Sequence, residues 1–133
     1  MAMIKYMLIV GAGSFVGGAL RYLFSTFVSS AAGGNFPWGT LAVNVTGCFL
    51  FGVIYAAFAR YAQVPSAAYL LLATGVMGGF TTFSAFSHEA VLMLQNGCVW
   101  AFAAYVALSV IGGLLAVAVG YCVVSLMPDC RFL

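Results

Sequence analysis

Four long apolar blocks, separated by three short turn-forming stretches, set the pattern of this chain. The first block covers residues 4–28, with Lys5 at its start and Arg21 near its far end. The second, residues 39–60, carries no charge until Arg60 closes it. A third runs from about 67 to 95, and a fourth, 98–127, is free of charge throughout. Crossing the hydrocarbon core of a bilayer takes about twenty apolar residues in a helix. Each block reaches that length, and the fourth has enough to tilt. Ser29-Ser-Ala-Ala-Gly-Gly-Asn-Phe-Pro37, Gln63-Val-Pro-Ser66 and Gln95-Asn-Gly97 supply the turns. Trp38 and Trp100 stand where indole rings anchor helices at a membrane surface. The pattern predicts an all-α membrane protein with four transmembrane helices, one domain over residues 1–133, and spans of about 4–28, 39–60, 67–95 and 98–127.

The third block reads badly as a continuous helix. In Gly75-Val-Met-Gly-Gly-Phe-Thr-Thr-Phe-Ser-Ala-Phe86, three glycines loosen the backbone. Thr81, Thr82 and Ser84 then offer hydroxyls that compete for backbone hydrogen bonds. Irregular backbone survives at membrane depth only where protein, water or an ion satisfies it, and broken transmembrane helices form ion and substrate sites. A break at mid-membrane over residues 78–81 is therefore expected, against the plainer alternative of a small-residue packing face. If helix resumes beyond it, Phe83 and Phe86 share a face. Elsewhere, Gly13 and Gly17 form a G-x-x-x-G pair in the first block, and Gly112, Ala116 and Gly120 a small-residue stripe in the last. Both predict close helix contacts.

Composition changes the picture by exclusion. The chain is 65% hydrophobic and 5% charged, with a mean hydropathy of +1.18, which excludes a water-soluble domain. Four Lys/Arg against two Asp/Glu give a net charge of +2, too sparse for a nucleic-acid surface. Cys48, Cys98, Cys122 and Cys130 form no C-x-x-C pair and read as small packing residues. His88-Glu89 opens no zinc-protease helix, since position 92 is Leu. An even number of spans places both termini on one side. Lys5, Arg60 and Arg131 fall there and Arg21 opposite, a weak bias toward a cytoplasmic N-terminus. So feeble a bias allows insertion both ways, and oppositely oriented copies can then pair.

No carboxylate lies within a span by this reading, and Glu89 sits only at the edge of one. Proton-coupled exporters and cation pores that depend on intramembrane acids lose support. Thr40, Asn44 and Gly47 share one helical face of the second span. With Thr46, Thr74, Thr81, Thr82, Ser84, Tyr105 and Ser109, this is an inventory of hydrogen-bond donors, and Arg21 adds positive charge nearby. Ring edges are electropositive too, so Phe83 and Phe86 can present them to an anion. Such groups suit permeation by a small anion, while carbonyls freed at the break suit a small hard cation. The residues alone name neither ion.

Gly39-Thr-Leu-Ala-Val-Asn44-Val-Thr-Gly47 and the Gly78-Gly-Phe-Thr-Thr-Phe-Ser-Ala-Phe86 block, with Gly17-Gly-Ala-Leu-Arg21-Tyr22 upstream, resemble the Fluc (CrcB) fluoride channels of microbes. The resemblance spans all four blocks. It implies a passive fluoride-selective channel that exports cytoplasmic fluoride through two pores in an antiparallel, dual-topology homodimer. The site would be the inner (plasma) membrane of a bacterium. It further implies a structural sodium ion at the dimer interface, held by the backbone carbonyls of Gly78 and Thr81. Phe83 and Phe86 would line the fluoride pathway, Asn44 and Tyr105 would donate hydrogen bonds along it, and Ser109, Thr82 and Ser84 would extend the polar track. Arg21 matches the family's arginine at the end of the first helix. Ala85 departs from the pattern, replacing a threonine and removing one hydroxyl. Two other classes stand beside this one. A small four-span drug exporter would carry a glutamate in the first span, which is absent here, and a structural subunit would use the glycines for packing alone. No nucleophile–base pair or metal set suggests an enzyme.

Overall fold

The four blocks fold as helices, and the termini of each follow from local chemistry. The computed structural model describes residues 2–61 and 66–127. Helix α1 (Ala2–Ala32) runs through residues 29–32, which were expected in the loop. It stops where Gly33 and Gly34 take left-handed backbone with φ of 64° and 75°, a conformation that glycine adopts without penalty. Helix α2 (Trp38–Tyr61) opens behind Pro37, whose carbonyl accepts the Leu41 N–H at 3.1 Å. The turn residues 63–65 and the tail 128–133, with Cys130 and Arg131, lie outside the described residues.

The third span covers Ala67–Gln95 and is segmented. Ser66 caps α3 (Ala67–Tyr69) by accepting the Tyr69 N–H. The backbone then widens into π-helical turns over Leu70–Met77, tightens to α4 (Gly78–Phe80), and opens at Thr81 and Thr82. These two residues are extended, at φ −80°, ψ 156° and φ −147°, ψ 117°. Helix resumes as α5 (Phe83–Gln95) and ends at Gly97, φ 71°. Helix α6 (Val99–Ser125) completes the fold. All four spans are long and apolar enough to cross a membrane, so this is a multi-pass membrane protein.

The break therefore falls at the two threonines and not at the glycines. Gly75, Gly78 and Gly79 remain in helical backbone, and two of them serve the approach of α1. A Cβ on Gly79 would stand 2.5 Å from the Ser14 carbonyl oxygen, and one on Gly75 2.9 Å from the Gly13 Cα. Across the contact, a Cβ on Gly13 would lie 2.5 Å from the Leu71 carbonyl, and one on Gly17 would run into the Val76 carbonyl. The G-x-x-x-G pair is thus the seat of the π-helical segment, while Gly11 faces open space. Helices α2 and α6 make the longest pairing. There Gly52 meets the Val117 carbonyl and Gly120 the Phe49 carbonyl. On α6 the tight position is Gly120; Gly112 and Gly113 make only ordinary contacts, with Val45 and Cys48.

Two small cores fill the bundle, one of Leu41, Ala90 and Tyr105, the other of Val43, Met77 and Phe80. Because the α1 contact is backbone on backbone, no rotamer change can relieve an added side chain there. Gly17→Val is expected to destabilise the protein by about 3 kcal/mol or more, at or beyond the top of the usual overpacking range. Gly11→Val should leave it near wild type. Thermal unfolding in detergent compares the two.

Candidate functional site

Asn44 organises the site. It lies within α2, yet both ends of its carboxamide reach the open backbone of the third span. Its Nδ2 donates to the Thr82 carbonyl at 2.9 Å, and its Oδ1 accepts the Thr82 N–H at 2.8 Å. The amide oxygen thus replaces the lost helical partner of the Thr82 N–H, and the amide N–H adds a bond to the carbonyl at the N-cap of α5. The Thr82 N–H is taken from the Gly78 carbonyl, its partner in a continuous helix. Thr81 is held by its own bonds: its N–H and hydroxyl both donate to the Met77 carbonyl at 3.0 Å. The Thr82 hydroxyl then caps α5, accepting the Ala85 N–H at 3.3 Å and lying 3.3 Å from the Ser84 hydroxyl.

The polar face of α2 meets the third span residue by residue. Gly47 lets Thr81 and Phe80 approach. One turn on, Asn44 clamps Thr82. At the far end Thr40 donates to Glu89 Oε1 at 2.8 Å, and Tyr105 from α6 donates to Glu89 Oε2 at 2.6 Å. Tyr105 is fully buried. Glu89 lies inside α5, six residues before its end, and the expectation of a carboxylate at the mere edge of a span is corrected. Nothing in the sequence announced two hydroxyls from other helices on Glu89.

Two cavities adjoin at the break. The first, about 490 Å³, is lined by Arg21, Tyr22, Ser25, Thr40, Thr82, Ser84 and Ala85. A second, about 240 Å³, is lined by Asn44, Cys48, Thr81, Thr82, Phe83, Phe86 and Ser109. Thr82 belongs to both. Phe83 and Phe86 stand with ring centroids 5.6 Å apart, and Phe83 is 79% exposed. The Ser109 hydroxyl is buried and has no hydrogen-bond partner among the described residues, a cost that a polar ligand would remove. The structure thus gathers Arg21, Asn44, Thr82, Ser84, Phe83, Phe86 and Ser109 around one break and sets Tyr105 beyond them, on Glu89. Gly78 and Thr81 line a separate cavity of about 260 Å³ with Met77 and Phe51. There the Gly78 carbonyl, without its helical partner, is the oxygen ligand a hard cation takes. Among the described residues no cluster of His, Cys, Asp or Glu could hold a metal through side chains. Cys48 borders both inner cavities, and Cys98 and Cys122 are exposed.

In chemical terms this is a set of hydrogen-bonding side chains gathered at the break with one guanidinium and two phenyl rings. The profile of a family described as "CrcB-like protein, Camphor Resistance (CrcB)" matches residues 8–121. A protein of Chelativorans sp. (strain BNC1) named fluoride-specific ion channel FluC is 45% identical over 115 residues, covering 86% of this chain and 92% of its own length. One of the same name from Clostridium perfringens is 51% identical over 90 residues, 68% of this chain and 70% of the relative. Another, from Leptospira interrogans, is 42% identical over 110 residues, covering 83% and 87%.

Proposed function

The chain belongs to the CrcB-like family, and on that premise we propose that it is a passive, fluoride-selective channel. The observation that carries the reading is the break at Thr81–Thr82, where two donor-lined cavities meet. Arg21 raises the local anion concentration at the entrance. The hydroxyls of Ser84 and Thr82, the ring edges of Phe83 and Phe86, and the unpartnered Ser109 hydroxyl then replace the water of a small anion in turn. Of the two N–H groups of the Asn44 amide, the one not spent on Thr82 faces the same task. Tyr105 acts through Glu89, the acceptor of its hydroxyl proton.

All 133 residues serve as one channel domain in the inner membrane of a bacterium. Two copies pair in opposite orientations, with two pores and a structural sodium ion between them. Gly78 and Thr81 would hold that ion through backbone carbonyls, where it supplies fixed positive charge. The weak charge bias, with Lys5, Arg60 and Arg131 in the sequence against Arg21, supports dual insertion. The physiological logic is acid–base chemistry. Hydrogen fluoride crosses bilayers as a neutral acid, ionises in a less acidic cytoplasm and is trapped. A passive channel lets fluoride leave, helped by a membrane potential negative inside.

Expressed in bacteria lacking their own fluoride exporter, the chain is expected to restore growth in fluoride medium; persistent sensitivity despite membrane expression would refute the reading. Phe83→Ile keeps bulk but loses the ring edge. An edge contact is worth about 1 kcal/mol, so fluoride release should slow by at least about fivefold. The exposed Phe83 ring gives up little packing, so gel-filtration behaviour should not change. Wild-type release from that variant would remove the ring edges from the mechanism.

A further inference from the structure

Beyond Phe86 the rings continue. Phe86 and Tyr105 stand 5.1 Å apart, Tyr105 and Phe36 5.6 Å at 82°, and Phe36 and Trp38 4.5 Å. With Phe83 this makes an unbroken file of five rings from the break to the α1–α2 loop. Phe36 is held in that loop: its carbonyl accepts the Trp38 N–H at 2.8 Å, and the left-handed Gly33 and Gly34 turn the chain toward it. Its ring packs on the core that contains Tyr105. Phe36 also borders a cavity of about 550 Å³, which Glu89, Asn96 and Cys98 line with it.

We propose that Phe36 is a positioning residue at the outer end of the anion route, and that the cavity beside it is the aqueous mouth of that route. The proposal rests on the channel reading above. Tyr105 is fully buried in a core where Phe86 stands 5.1 Å from its ring and Phe36 meets it edge to face. That edge-to-face contact fixes the phenol with its hydroxyl on Glu89, the carboxylate that itself lines the mouth. An aliphatic side chain fills the volume without the directional contact, since only a ring supplies a polarised edge. Nothing in the polar inventory pointed to Phe36, because its role depends on a loop folding back onto α6.

Fluoride release from proteoliposomes tests this with wild type, Phe36→Leu and Phe36→Tyr side by side. An inert wild type would refute the channel reading itself, separately from Phe36. With an active wild type, Phe36→Leu should release fluoride about tenfold more slowly, and Phe36→Tyr should stay within about twofold of wild type. Equal rates for Phe36→Leu and wild type would overturn the proposal. So would equal losses in Phe36→Leu and Phe36→Tyr, which would reduce Phe36 to packing. A second measurement needs no variant at position 36. Sulfonatoethyl methanethiosulfonate reacts with the exposed Cys98 thiolate, which displaces methanesulfinate and forms a mixed disulfide carrying a sulfonate. That fixed negative charge in the mouth should slow fluoride release at least fivefold, and the Cys98→Ser protein should be insensitive to the reagent. Unchanged release with Cys98 labelling confirmed by mass spectrometry would overturn the mouth assignment.

Discussion

Asn44→Ala is expected to remove most of the fluoride flux and a large part of the folding stability together. The wild-type amide satisfies both backbone groups of Thr82 at 2.8 and 2.9 Å. Truncation orphans the Thr82 N–H at membrane depth, where water is scarce, and strips the second bond from a carbonyl that the first turn of α5 still holds. An unsatisfied buried polar group costs about 1–3 kcal/mol and a lost hydrogen bond about 1 kcal/mol, so the loss amounts to about 2–4 kcal/mol. Whole domains are stable by only about 5–15 kcal/mol. Asn44→Asp separates the two roles. The carboxylate still accepts the Thr82 N–H, but it cannot donate to the Thr82 carbonyl and it sets a negative charge beside an anion route. That variant should fold better than Asn44→Ala and conduct no better. Thermal unfolding in detergent and electrode-recorded fluoride release read the two effects separately. An Asn44→Ala protein that melts with wild type would show that the break does not depend on this clamp.

A second large effect is expected at Glu89. Its two oxygens accept the Thr40 and Tyr105 hydroxyls at 2.8 and 2.6 Å, tying α2, α5 and α6 at one point. Hydrogen bonds to a charged group are worth about 1.5–3 kcal/mol each. Glu89→Ala should therefore destabilise by about 3 kcal/mol or more, and Glu89→Gln by less, since its amide oxygen still accepts. Because the hydroxyls act through Glu89, adding Tyr105→Phe to Glu89→Ala should change the melting temperature little, while Tyr105→Phe alone lowers it. Additive losses in that double-mutant cycle would show that Tyr105 and Glu89 are energetically independent.

Much of this was legible in the sequence because lipid enforces simple rules. Blocks of about twenty apolar residues must be helices, and the G-x-x-x-G pair Gly13/Gly17 marks a close contact wherever its partner lies. The Thr40–Asn44–Gly47 face was readable from helical spacing, and each of its members meets the third span. What the sequence did not reveal depended on partners from other helices. The glycines at 75 and 79 suggested a broken backbone, but the nearness of α1 makes them packing residues, and the break moved to Thr81 and Thr82, where Asn44 can hold it. Glu89 was placed at the rim because a lone carboxylate gives no sign of the hydroxyls that will grip it. Phe36 sat unnoticed among turn formers, since ring files exist only in three dimensions.

The most direct measurement of the central claim is passive efflux from proteoliposomes of purified wild-type protein, loaded with fluoride or with chloride and followed with ion-selective electrodes. Rapid fluoride release with chloride retained is expected, with no requirement for ATP or a proton gradient. Retention of fluoride by vesicles containing folded protein, or equal release of both halides, would contradict the claim.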